Sequence, residues 1–294
     1  MQISSSKKMV PVLAGGGTRL SAHIGVLAAI EELGIEFSNL VGVSGGSVVG
    51  ALYAKGYSVP ECRKIAEDTD FSQFLSSSLW TLLRTGGLST GDRFERWVED
   101  KLGGATFAEL DYNFHVVATD VRSGLPVIFD RDRTPDMPVS KAVRFSMSIP
   151  ILFSFQEYKD YLLVDGSILS EDALQRDWSK DGSPVICFRL RSQQDAAKVK
   201  RLPLFPLKSY LGLLIRTFMT TMSREYVNES FWHSTVIIQG GYISPTEFKL
   251  TRQEKGILYK SGYDTVRRIL PMKLASKEAR LGTTEKLQRV NEDL

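Results

Sequence analysis

Cysteine and histidine, the side chains that most often carry metal or redox chemistry, are scarce in this chain. Two cysteines, Cys62 and Cys187, and three histidines, His23, His115 and His233, are all that 294 residues contain. The cysteines match no metal-ligand or C-x-x-C spacing and read as small buried hydrophobes, a usage that a reducing compartment permits. No apolar run reaches the roughly 18 residues that a membrane-spanning helix needs. Lys7 and Lys8 precede only the short run Met9 to Ala14 before three glycines, which is too short for a signal-peptide core. The expected location is therefore cytoplasmic, or peripheral on a membrane. Net charge is only +3, so there is no global field of the kind nucleic-acid binders show, and no nucleic-acid partner is expected. With 43% hydrophobic residues the chain can bury a full-sized core, as one domain or as one domain with a large insertion.

What is present is glycine, concentrated in two turns. Gly15-Gly16-Gly17-Thr18-Arg19 follows the apolar run Met9 to Ala14, and Gly42-Val43-Ser44-Gly45-Gly46 follows Leu40 to Val43. Each turn leads into a helical pattern, Ser21 to Leu33 (stopped by Gly34) and Gly45 to Lys55 (stopped by Gly56). Strand, glycine turn and helix, twice over, predict a parallel sheet with crossover helices. Asn113 to Thr119, Leu125 to Phe129, Tyr161 to Val164, Pro184 to Leu190 and Thr235 to Ile238 read as further strands. Val139 to Met147 reads as a helix ending before Pro150.

The second turn fits G-x-S-x-G, the sharp strand-to-helix turn that lifts a serine hydroxyl clear of the backbone, although a tight turn with an N-cap serine fits equally. The first offers backbone N–H groups at a helix start, where negative charge is stabilised. Together they supply the nucleophile and the oxyanion site that acyl transfer requires. A dinucleotide fingerprint fails, because Leu20 stands at its third glycine and Ser44 where an acidic residue should end the second strand. A phosphate loop fails because no Gly-Lys-Ser/Thr follows. For the base, His23 and His115 lie inside element patterns and read as structural. His233 completes the chain order Ser44, Asp165, His233, yet the serine follows only the second strand, earlier than an α/β-hydrolase elbow usually stands. The other candidate base is Asp165, at the end of the apolar strand Tyr161 to Val164, where open α/β sheets build their sites; a turn aspartate is the plainer reading. An aspartate of ordinary pKa, about 3.9, is a feeble base, so a Ser-Asp pair requires burial.

These residues resemble the patatin-like phospholipase family, bacterial branch. The Gly-Gly-Gly-x-Arg turn (Gly15, Gly16, Gly17, Arg19), the elbow at Ser44, the segment Ala142 to Pro150 and Asp165-Gly166 occur in the family's order, over about Met9 to Leu190. The resemblance implies a three-layer α/β/α fold with a mostly parallel central sheet. It implies Ser44 as nucleophile, Asp165 as its only partner base, an oxyanion site around Gly15, Gly16 and Gly17 with Arg19 close by, and chemistry without cofactor or metal. Two departures are visible: Leu20 replaces the glycine that usually follows Arg or Lys, and Ser167 replaces Gly or Ala after Asp-Gly.

Residues 9–190 are read as the catalytic core and 191–294 as a C-terminal extension packed on the same domain. Between Arg189 and Arg216 the basic side chains Arg189, Arg191, Lys198, Lys200, Arg201, Lys208 and Arg216 face one acid, Asp195. They lead into an amphipathic pattern from Leu207 to Met222. Residues 189–222 are thus either a contact for an anionic membrane surface or a solvated loop with an ordinary core helix. Phe74 to Leu83 reads as a cap over an acyl pocket or as a plain packed helix, and Ser276 to Leu294 as a surface helix or frayed tail. The leading expectation is a lipid acyl hydrolase, of phospholipase A or lysophospholipase type, engaged in lipid degradation. The alternatives are a Ser-His-Asp esterase or thioesterase using His233, and an inactive binding protein of the same fold, suggested by Leu20.

Overall fold

The computed structural model describes residues 8–76, 78–168, 176–191, 210–211, 213–215, 217 and 229–292. The chain runs β1 (Val10–Ala14), α1 (Leu20–Glu32), β2 (Asn39–Val43), α2 (Gly45–Ala54), α3 (Val59–Asp68), α4 (Leu79–Thr85), β3 (Gly87–Ser89) and α5 (Asp92–Leu102). It continues through β4 (Asn113–Asp120), β5 (Pro126–Phe129), α6 (Val139–Ser146), β6 (Ile151–Phe153), β7 (Gln156–Tyr158), β8 (Tyr161–Val164), β9 (Val185–Arg191), β10 (Thr235–Gln239) and a long helix, α7 (Arg252–Glu292).

Five strands, in the order β10-β9-β1-β2-β4, are parallel. β1 and β2 are buried along their whole length, as central parallel strands covered on both faces must be. Their side chains alternate: Leu13 and Leu40 join the larger core under the helices, while Val10, Val12, Val41 and Val43 join a second cluster with Trp178 and Cys187. The result is an α/β fold with a mostly parallel sheet flanked by helices.

The register around β4 positions the site. At Val117, β4 pairs with both Val43 and Ile128; at Thr119, it pairs with both Pro126 and Val164. A strand residue has only two edges, so β2 and β8 share one edge of β4 and β5 takes the other. β2 runs along that edge in one direction and ends at Val43, and β8 runs in the other and ends at Val164. Their next residues, Ser44 and Asp165, therefore meet head to head at the level of Ala118.

α1 is buried on nearly every side, from Leu20 to Ile30, which marks it as an internal helix. It crosses α7 where Gly25 and Gly262 face each other. A Cβ on Gly25 would overlap the Tyr259 carbonyl, and one on Gly262 would overlap that of Ala22. α7 buries Lys255, Leu258, Gly262, Val266, Leu270 and Leu274 along one stripe. The buried Lys255 ammonium donates to the carbonyls of Glu67 (2.9 Å) and Thr69 (2.8 Å), satisfying backbone at the end of α3.

Several sequence expectations are corrected here. The helical alternative for Ser276 to Leu294 holds, as the last part of a longer helix, Arg252–Glu292, whose inward stripe includes Lys255 and Gly262 among apolar residues. The Phe74 to Leu83 segment is a 3-10 turn, Phe71–Phe74, followed by α4, which buries no residue. Tyr210, Leu211, Leu213, Leu214, Ile215 and Thr217 are helical, with Ile215 buried and Tyr210, Leu213 and Leu214 exposed; the rest of 192–222 lies outside the described residues. Cys62 and Cys187 are buried, as expected, and form no disulfide, and burial raises the Cys62 thiol to about 12. Among the described residues no helix is long and apolar enough to cross a membrane.

The crossing of α1 and α7 is directly testable. Gly262→Val is expected to lower unfolding free energy by about 3 kcal/mol, since backbone must move to admit the side chain. Gly256→Ala, on the same helix with nothing near its Cβ position, is expected to be stabilising by up to about 1 kcal/mol. Urea titrations of both variants check this; equal stability of Gly262→Val and wild type would rule out the close approach.

Candidate active site

Ser44 caps the sheet end of α2 with φ +53° and ψ −130°, a backbone conformation that L-residues avoid. Close packing on both sides imposes it. A Cβ on Gly42 would lie 2.6 Å from the Ser47 Cα, and one on Gly46 would overlap the Leu13 carbonyl. Small residues therefore let α2 sit directly against the strands and force the sharp turn. The polar groups this exposes are paired internally: Ser44 N–H donates to Ser146 Oγ (2.8 Å), whose hydroxyl donates to the Val117 carbonyl (2.6 Å). The Ser44 carbonyl accepts from Ser47 Oγ at 2.6 Å.

Asp165 meets Ser44 at this point. The Ser44 hydroxyl donates to Asp165 Oδ2 at 2.6 Å, and both residues are fully buried. The carboxylate's other oxygen accepts from the Ser167 N–H (2.7 Å). Its backbone is fixed by Asp165 N–H to the Ser148 carbonyl (3.0 Å) and by Thr119 Oγ1 to the Asp165 carbonyl (3.0 Å). Burial raises the carboxyl to about 6, while the hydrogen bonds from Ser44 and Ser167 pull it back down. Asp165 is thereby moved from a feeble base toward one matched to neutral pH.

The glycine triplet packs against this elbow. Gly15, Gly16 and Gly17 all have positive φ (+71°, +102° and +56°), which explains why three glycines occur in a row. Gly15 N–H donates to the Val43 carbonyl (3.1 Å) and Gly46 N–H to the Gly15 carbonyl (3.2 Å), tying the two turns together. Among the described residues the N–H groups of Gly16 and Gly17 reach no acceptor, so they remain open to an anion beside Ser44. Arg19 is buried and braces the turn, with Nε donating to the Gly16 carbonyl (3.1 Å) and Nη1 to that of Ile243 (3.4 Å). Burial lowers its guanidinium to about 10. Leu20 is the first residue of α1, buried and without a positive φ. The glycine found there in the family is thus not required by this backbone, and the apolar side chain anchors the helix start.

The histidines separate cleanly. His115 is a buried structural residue whose Nδ1 pairs with Asp130 (3.0 Å) against Trp178. His233 precedes β10, whose Thr235 is level with Cys187, Val12 and Val41 across the sheet. Ser44 lies beyond the opposite ends of these strands, three strands away, on the order of 20 Å from His233 at ordinary strand spacings. The Ser44, Asp165, His233 triad is therefore not assembled. Sequence reading placed Ser146 and Ser148 in the segment Ala142 to Pro150 but assigned them no role, and missed Thr119; Ser146 Oγ, the Ser148 carbonyl and Thr119 Oγ1 hold the pair. Among the described residues no cluster of three or more His, Cys, Asp or Glu is arranged to hold a metal ion.

Comparison with known proteins places this geometry in context. Residues 12–174 match the family model for patatin-like phospholipase. An uncharacterised protein of Acanthamoeba polyphaga mimivirus is 29% identical over 90% of this chain and 95% of its own length. The Bacillus subtilis protein YqhO, also uncharacterised, is 27% identical over 85% of this chain and 94% of its own. An uncharacterised NTE family protein of Mycobacterium tuberculosis is 31% identical over 56% of this chain and 44% of its own. Among solved structures, VipD from Legionella pneumophila is similar in fold (TM-score 0.65, 17% identity, covering 92% of this chain and 67% of that one). So is ExoU in its heterodimeric complex with SpcU from the type III secretion system of Pseudomonas aeruginosa (TM-score 0.55, 16% identity, 92% and 52%). The matched segment holds both glycine turns, Ser44 and Asp165, and the chain belongs to the patatin-like phospholipase family of lipid-ester hydrolases.

Proposed function

We propose that this chain is a lipid acyl hydrolase, of phospholipase A or lysophospholipase type, that cleaves fatty-acyl esters through an acyl-enzyme on Ser44 with Asp165 as base. The observation that carries this reading is the 2.6 Å hydrogen bond from the Ser44 hydroxyl to a buried carboxylate held near pKa 6. Asp165 takes the hydroxyl proton as Oγ attacks the ester carbonyl, and the open N–H groups of Gly16 and Gly17 receive the developing oxyanion. The protonated Asp165 then gives its proton to the departing alkoxide. In the second half, water gives a proton to Asp165 and attacks the acyl-enzyme, and the fatty acid leaves as Ser44 recovers its hydrogen. A carboxylate that serves as base and then as acid needs a pKa close to working pH, which burial supplies.

Incubation of wild type, Ser44→Ala and Asp165→Asn with phospholipid, lysophospholipid and triacylglycerol, with products identified by mass spectrometry, tests the pair. Both variants are expected to lose about 10³-fold or more in turnover. Fluorophosphonate is expected to label wild type and not Ser44→Ala; an unlabelled, folded wild type would sink the enzyme reading in favour of a binding protein. His233→Ala is expected to retain turnover within about twofold, and a 10³-fold collapse would restore the triad.

The sign of the pH dependence follows from the active form. Asp165 must be ionised to accept the proton and its carboxyl is raised to about 6, so kcat/KM is expected to fall as pH drops through about 6. An acid limb near pH 4 instead would show that burial does not perturb this group.

Access to aggregated lipid is supported by α4. Trp80 and Leu83 are 72% and 84% exposed, with Leu79 and Phe155 also exposed, and residues 71–91 include no Asp or Glu and one basic residue, Arg84. Such a face suits insertion at a lipid interface. The paired substitutions Trp80→Ser and Leu83→Ser are expected to lower hydrolysis of vesicle lipid about tenfold or more, from ~1.5–3 kcal/mol per buried side chain. Turnover of a short-chain soluble ester should stay unchanged. An equal loss on both substrates would assign the residues to the acyl pocket.

A further inference from the structure

His23 is fully buried in the first turn of α1, makes no hydrogen bond to Ser44 or Asp165, and has no part in the chemistry above. Its Nε2 lies 3.1 Å from the Gly15 carbonyl oxygen. A carbonyl can only accept, so Nε2 carries the proton and Nδ1 is the bare nitrogen. Nδ1 is buried and, among the described residues, has no hydrogen-bond partner. A leucine or phenylalanine would fill this site without leaving a polar atom unpaired. The ring sits directly beneath Gly16, where a Cβ would come within 3.1 Å of Nε2.

The Gly15 carbonyl also accepts from Gly46 N–H at 3.2 Å, so both of its lone pairs are engaged, one by the elbow helix and one by His23. The Gly15–Gly16 peptide is trans, and in a trans peptide the C=O and the following N–H point in opposite directions. Holding the Gly15 oxygen inward therefore turns the Gly16 N–H outward, and no other described group claims that hydrogen. We propose that His23 is a positioning residue of the oxyanion site: it fixes the Gly15–Gly16 peptide so that the Gly16 N–H faces the substrate carbonyl on Ser44. Among three adjacent glycines with positive φ, the bond from Gly46 would otherwise be the only one holding this carbonyl. Burial, with the nearby Arg19 charge adding to it, keeps the imidazole neutral by lowering it to about 4, so the single N–H persists across the working pH range. This assignment rests on the acyl-enzyme reading of Ser44.

The test uses His23→Leu, His23→Phe, His23→Asn and His23→Gln in the full chain. Gln carries an amide N–H about as far from the backbone as Nε2, whereas the Asn amide stops short of Gly15. Soluble-ester kinetics and the affinity of a trifluoromethyl ketone, which forms a tetrahedral adduct on serine, are measured for each. Leu, Phe and Asn are expected to lower kcat about 100-fold with KM within about twofold, and to weaken the ketone by the same factor as kcat/KM. His23→Gln is expected to regain most of both. Losses under threefold in the folded non-donor variants, a rise in KM alone, or a Gln variant as slow as Asn would each overturn the proposal. If Leu and Phe do not fold, the Gln and Asn pair decides by the same criterion. Should wild type fail to label with fluorophosphonate, or Ser44→Ala hydrolyse as fast as wild type, the acyl-enzyme reading itself falls, whatever His23 does.

Discussion

Two strands that end against each other on one edge of β4 are the constraint on which the rest of this structure depends. β2 arrives parallel to β4 and β8 antiparallel, and neither can extend further because the other occupies the next position. Each chain must turn out of the sheet at the same level, which leaves Ser44 and Asp165 face to face without a long side chain on either. A serine hydroxyl and an aspartate carboxylate are short, and they suffice only because backbone register brings them to 2.6 Å. Gly166 belongs to the same constraint, since a Cβ there would overlap the Val117 carbonyl across the junction.

That junction gathers several costs that a packed core normally avoids: a serine at positive φ, an ionisable group without solvent, and strand ends with orphaned backbone. Ser146, Ser148 and Thr119 offset them, each bonding backbone that the converging strands leave unpaired. The same burial that costs stability moves the Asp165 carboxyl toward neutral pH. Desolvation would also strengthen the interaction of the glycine N–H groups with an anion bound at the turn, because little water competes for them. Stability and the proposed chemistry are in opposition at Asp165: ionising a buried carboxylate disfavours the fold, and an aspartate acting as base would have to be ionised.

The parallel strands and the two turns were legible in the sequence because their signals are local. Val10 to Ala14 and Leu40 to Val43 are apolar runs broken by glycine, and Ser44 sits inside a pattern with a steric meaning. The union of Ser44 with Asp165 was legible only through the ordered set of motifs, since nothing local to Asp165-Gly166 distinguishes a base from a turn. The strand-end geometry was illegible for a different reason. β7 and β8 form a local hairpin, but β8 joins the sheet by pairing with Thr119 and Asp120 of β4, distant in sequence, and register has no signature in either segment alone. α7 escaped because its inward stripe includes Lys255 and Gly262, one chosen for carbonyls on α3 and the other for a close crossing.

The same distant contacts bear on where the catalytic unit ends. The family match closes at residue 174, yet the glycine turn is held from beyond it. Thr18 N–H donates to the Pro245 carbonyl (3.1 Å) and Thr18 Oγ1 to that of Glu247 (2.7 Å), while Arg19 reaches Ile243. A Cβ on Gly17 would overlap the Pro245 carbonyl, so the strap after β10 lies directly on the turn. β10 extends the central sheet through β9, and α7 packs its stripe on α1, the helix that begins where the turn ends. Three flexible glycines cannot hold a fixed set of N–H donors by themselves, because their conformational entropy is the largest of any residue. Their order is imposed by the elbow through Gly46, by α1 through His23, and by residues 243–247 through Thr18 and Arg19. Of those three supports, one comes from residues beyond the matched segment, so the C-terminal segment belongs to the architecture of the glycine turn as much as the motifs do.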